Sequence, residues 1–164
     1  MKNPDKARLA VVGIGNILVG DDGAGIAVLN RLKESWGEDP RVRFLALEGD
    51  LYEIGDYLDL AEEFIFVDAV AGERVGALVE SRHTPRAYAA SFHQTDIGSV
   101  MECLRALHMA EPFPEWTLWG IVIAPPTEVT PGLSPVVAEA VEELAARLRT
   151  RIPAILRTPP AAAN

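Results

Sequence analysis

The sequence predicts an α/β fold, a three-layer sandwich with a mostly parallel, twisted five-stranded sheet between helices on both faces. Three observations carry that expectation. Short apolar runs of strand length alternate with stretches of helical periodicity along most of the chain. The first run ends in a glycine-rich turn that leads into a helix. The third, EFIFVDAV, is apolar almost throughout, as in a strand covered on both faces. The expected strand order is 2-1-3-5-4.

The elements follow in turn. Arg8 to Gly13 is a buried strand, and Gly23 to Trp36 is a helix with Ile26, Leu29 and Leu32 on one face. Arg41 to Glu48 alternates like a strand, and Leu51 to Leu60 carries Leu51, Ile54 and Leu58 as a short amphipathic helix. Glu63 to Val70 is the strand richest in Phe, Ile and Val, interrupted by Asp68. Ala77 to Ser81 is brief and follows two glycines, which suits an edge strand that can run antiparallel. Thr95 to His108 repeats apolar residues at helical intervals, and Thr117 to Ala124 is the last buried strand. After the PPTEVTPG loop, Ser134 and Pro135 open a helix that is expected to end near Arg149. One domain is expected over residues 1–152, with 153–164 as a flexible tail.

The 164 residues and 49% hydrophobic content are enough for a single core. The formal charge is −9, with 15 Lys and Arg against 24 Asp and Glu, and no basic cluster that could neutralise a run of phosphates. Nucleic acid is an unlikely partner on those grounds. Cys103 is the only cysteine, so an intrachain disulfide and a thiolate metal cluster are excluded, and core packing is its expected role. No apolar run approaches the ~20 residues of a membrane span. The expectation is a soluble, cytoplasmic protein without membrane insertion.

The stretch from Val11 to Gly25, VVGIGNILVGDDGAG, bears most directly on function. A glycine loop between strand and helix normally attracts anions, because free N–H groups and the positive helix end point the same way. Here that place carries Asp21 and Asp22, and the third glycine of a dinucleotide fingerprint is replaced by Leu18. Paired carboxylates suit a cation better, although either aspartate could simply cap the helix. In a 2-1-3 sheet the crevice between the first and third strands brings this loop to Asp68. His93 lies before the next helix, on the same expected edge. Asp22, Asp68 and His93 together suit a borderline divalent metal such as nickel or zinc, with positions left open for water or substrate. The plainer readings are a strand-end carboxylate for Asp68 and an ordinary loop histidine for His93. His83 and His108 look structural or exposed, and serine, zincin and thiol signatures are absent.

GIGNILVGDDGAG, FVDAV, SFHQ and LWGIVIAPPTEVTPGLSPVV, in that order, resemble the [NiFe] hydrogenase maturation endopeptidases. The resemblance spans roughly Leu9 to Arg149. It implies a peptidase that trims the C-terminal extension of a hydrogenase large-subunit precursor after nickel insertion. It also implies that Asp22, Asp68 and His93 engage nickel presented by that precursor, with zinc or cadmium able to substitute. Asn16, Asp21 and Glu48 are candidates for substrate contact, while Gly13, Gly15, Gly23 and Gly25 serve backbone geometry. The chain departs from the family at Glu48-Gly49-Asp50-Leu51, where Gly-Gly-Thr is frequent after the acidic residue, and at Asp96-Ile97, where glycine or proline precedes leucine. Two alternatives stand beside this reading. One is a dinucleotide-dependent oxidoreductase with Glu48 on the ribose, the other a noncatalytic metal-dependent assembly chaperone.

Overall fold

A computed structural model describes residues 6–82 and 96–158. Five strands form one sheet in the order β2-β1-β3-β5-β4, as expected. They are β1 (Ala7–Ile14), β2 (Val42–Leu47), β3 (Ala61–Ala71), β4 (Leu78–Ser81) and β5 (Glu115–Ile123). The first three and β5 are parallel, and β4 pairs antiparallel with β5 at the edge. Three α-helices accompany them: α1 (Ala24–Trp36), α2 (Ile97–Ala106) and α3 (Pro135–Arg157).

Alternation along the strands divides the core in two. Leu9 and Val11 of β1, with Ile65, Val67 and Ala69 of β3, pack under α1 and α3. Ala10, Val12 and Ile14, with Phe64 and Phe66, face the opposite layer, built from α2 and the helical segment Leu51–Leu60. On that side the Phe66 ring meets Trp116 edge-on, with centroids 6.1 Å apart. Asp68 continues the Phe64, Phe66 alternation, so it belongs to the α2 face of β3.

Two expected elements differ in detail. Leu51–Leu60 is a 3₁₀ helix, opened by the Asp50 carboxylate accepting from the Tyr52 N–H at 2.9 Å. The last helix does not stop near Arg149 but runs on through Ile152 and Pro153 to Arg157. Proline removes one backbone bond there, yet Ile152 is fully buried and Ile155 and Leu156 pack on the same core, which offsets that loss. The described part of the expected tail is therefore mostly helix, and residues 159–164 lie outside the described residues.

The site end of the sheet depends on close backbone approach. A Cβ on Gly25, in the first turn of α1, would stand 2.2 Å from the Ile14 carbonyl oxygen and 2.3 Å from that of Val67. Only glycine lets α1 start directly against the ends of β1 and β3. No side-chain rotation relieves a clash with main chain. Gly25→Ala is expected to lower unfolding free energy by roughly 1–3 kcal/mol, the usual cost of overpacking. Urea denaturation measures it, and unchanged stability would mean that this approach is not required.

Candidate metal and substrate site

The chain leaves β1, passes to β2 on one side and returns to β3 on the other, so the crevice between β1 and β3 is the switch point of the sheet. The GDDG segment fills it as a 3₁₀ turn, Gly20–Gly23, running straight into α1. Neither aspartate caps that helix. The N-cap of α1 is Gly23, which makes no side-chain bond.

Asp22 instead folds the loop back on its own beginning. Its Oδ2 accepts the Asn16 N–H at 2.9 Å, while the Asn16 side chain accepts the Leu18 N–H at 2.9 Å. Gly15, at φ 141°, makes room for this closure, because a Cβ there would lie 2.0 Å from the Asp22 carbonyl oxygen. Asp22 is 5% exposed, and its Oδ1 is buried without a hydrogen-bond partner among the described residues.

Asp21 has a different task. Both of its oxygens bind Ser134, one accepting the backbone N–H at 2.6 Å and the other the hydroxyl at 2.8 Å. Beside it, the Gly20 N–H donates to the Thr130 carbonyl at 2.6 Å. Two bonds to Ser134 and one to Thr130 thus join the GDDG turn to the proline-rich loop and to the first residues before α3. Ser134 reads in the sequence as a helix cap, but its hydroxyl is given to Asp21 and makes no cap bond. That link joins residues 113 apart in the chain and leaves no local sequence signal.

Asp68 is 2% exposed, and its Oδ1 accepts the Ala69 N–H at 2.8 Å. Burial pushes its carboxyl up from 3.8 to about 7, and the charges of Asp22 and Asp96 push the same way against that single bond. Asp96 caps α2, accepting the Ser99 N–H at 3.0 Å and the Ser99 hydroxyl at 2.7 Å. The Asp96 departure from the family pattern is therefore a helix cap, and an Asp followed three residues later by Ser is its local signal. Glu48 is exposed just after β2, next to Leu47, whose carbonyl accepts the Gly15 N–H at 3.2 Å.

The structure thus brings Asp22 and Asp68 within electrostatic reach of one another and places Asn16 and Asp21 in the same loop. His93 and His83 lie outside the described residues. Among the described residues no three His, Cys, Asp or Glu side chains are grouped to hold a metal, so these contribute the two carboxylates alone. Among the described residues, a buried Asp22 oxygen without a hydrogen-bond partner thus lies in electrostatic reach of a carboxyl that burial holds toward its neutral form. His108 follows α2 at φ 52°, exposed, with Nδ1 2.9 Å from Glu111. Cys103 is half-buried on α2 rather than fully packed in the core.

The raised Asp68 value links the site to stability. Between about pH 4 and pH 7 the folded protein keeps a proton that the unfolded chain releases, so this group's contribution falls as pH rises across that window and is level above it. Asp68→Asn is expected to gain stability relative to the unsubstituted protein at pH 8 compared with pH 5, measured by denaturant unfolding at both. An equal difference at the two pH values would contradict the assignment.

By sequence, no family model and no curated protein matches the chain. Solved structures do. The [NiFe] hydrogenase maturation protease HycI from Thermococcus kodakarensis is 24% identical with a TM-score of 0.67, covering 94% of this chain and 96% of its own. HybD from the same organism has a TM-score of 0.70 at 22% identity, over 88% of this chain and 98% of its own. The hydrogenase maturating endopeptidase HybD from E. coli is 25% identical with a TM-score of 0.64, over 88% and 93%. The family that the loop motifs resemble is thus also the family that the whole fold resembles, the hydrogenase maturation proteases.

Proposed function

We propose that this chain is an endopeptidase of hydrogenase maturation, removing the C-terminal extension of a [NiFe] hydrogenase large-subunit precursor once nickel is in place. The structural neighbours are proteases of that kind, which supports the protease role. The observation that carries the metal-dependent part is the buried Asp22–Asp68 pair, in which the Asp22 oxygen without a partner among the described residues suits a cation brought by the substrate.

Asp22 and Asp68 would hold that cation with His93 as the third ligand, and a precursor lacking nickel would leave the two acids uncompensated. Recognition then precedes cutting. A divalent metal held there by Asp22, Asp68 and His93 would supply Lewis acidity toward a carbonyl or a water, either of which would assist amide hydrolysis. The chain's own part is to fix the ligands. Asn16 anchors the Asp22 carboxylate, the Ala69 N–H orients Asp68, and the Asp21–Ser134 bonds hold the proline-rich loop beside them. In this reading Asp21 contacts substrate only through the loop it braces, while Glu48 and Asn16 remain at the rim. A pyrophosphate placed at the same helix start would meet the Asp22 and Asp68 charges, which disfavours the dinucleotide alternative. A noncatalytic chaperone would bind the same precursor without shortening it.

The test incubates nickel-loaded and nickel-free precursor with the unsubstituted protein and with Asp22→Ala, Asp68→Ala and His93→Ala, and reads the C-terminal mass of the large subunit. Shortening is expected only with nickel, and each substitution should slow it roughly 100-fold or more, as when a group that stabilises transition-state charge is lost. Cleavage that ignores both nickel and the three substitutions would overturn the proposal.

A further inference from the structure

The loop that carries Asp22 also carries two large apolar side chains in water. Ile17 is 49% exposed and Leu18 58%, both within the turn closed by Asn16 and Asp22. Val129, 79% exposed, stands on the proline-rich loop next to Thr130, the residue whose carbonyl receives the Gly20 N–H. Two loops that are bonded to each other thus present three exposed apolar groups, two of them on the turn that also carries the buried Asp22. Neither loop needs these side chains for its own closure, which is made by main chain, Asn16 and the two aspartates.

We propose that Ile17, Leu18 and Val129 form the seat for an apolar peptide segment of the protein partner that delivers the cation. The inference rests on the reading of the acidic pair as the receiver of a substrate-borne metal. Charge complementarity selects this occupant. A free hydrated ion needs no apolar rim, whereas an ion fixed in a polypeptide must bring the neighbouring chain down on these loops. Apolar contact there removes water from the rim and strengthens attraction between the carboxylates and the ion. Leu107 and Met109 are comparably exposed, but they lie in the connection that enters β5, away from the strand ends that hold the acids. They therefore lie apart from the buried acidic pair.

The test measures equilibrium binding of nickel-loaded large-subunit precursor, and separately its cleavage, for the unsubstituted protein, Ile17→Ser/Leu18→Ser and Val129→Ser. Nickel ion alone is titrated calorimetrically against each, and melting temperature checks folding, which substitutions at exposed positions should leave intact. The double variant should bind precursor roughly tenfold more weakly or worse, as on losing a central apolar contact, with affinity for nickel ion unchanged. Val129→Ser should weaken precursor binding in the same sense from the opposite loop. Precursor affinity equal to that of the unsubstituted protein in both variants would overturn the seat. If the precursor binds but is never shortened, the protease reading fails, while a weakened double variant still supports the seat. If the unsubstituted protein does not bind the precursor, both fail.

Discussion

Two carboxylates buried at the carboxyl ends of parallel strands, with no cationic side chain paired to either among the described residues, set the physical problem that the site end of this fold answers. Removing one charge from water without a partner costs several kcal/mol, and two such charges within reach of each other cost more. The protein meets that cost by letting Asp68 keep its proton up to about pH 7 and by giving each acid one backbone N–H. A cation removes the conflict. On the proposed reading, that cation is the one the substrate brings.

The surrounding backbone exists to hold the acids in that position. Gly25 lets α1 begin against the strand ends, and Gly15 lets the loop close over Asp22. Asp21 then gives both oxygens to Ser134, which ties the residues before α3 to the loop after β1. Adjacent aspartates thus differ in their bonding: Asp22 keeps one buried oxygen without a partner among the described residues, and Asp21 braces the loops. Substituting them interchangeably would confuse two effects, because loss of the brace shifts loops that carry rim residues as well as the acid.

Much of this arrangement is legible along the chain. Apolar runs of strand length mark the central strands most clearly, because a strand buried on both faces has almost no other composition available, while the brief β4 is legible as an edge from its length and the glycines before it. Asp68 stands out since it breaks such a run. Helix ends are less legible: the pattern suggests an end near Arg149, and only the burial of Ile152, Ile155 and Leu156 in three dimensions shows why α3 continues past it. The Leu51–Leu60 segment has a helical apolar pattern that does not distinguish 3₁₀ from α geometry. The role of Asp21 has no local signal, since its partner lies 113 residues away and an Asp just before a helix resembles a cap. His93, the third expected ligand, falls outside the described residues and rests on its motif.

The central claim is that Asp22 and Asp68 act together as the receiver of one cation. A crystal grown with cadmium, examined by anomalous scattering, addresses it directly. The account predicts a cadmium peak coordinated by oxygens of both side chains. Cadmium bound only elsewhere on the protein, with the two carboxylates free of it at saturating concentration, would contradict the account.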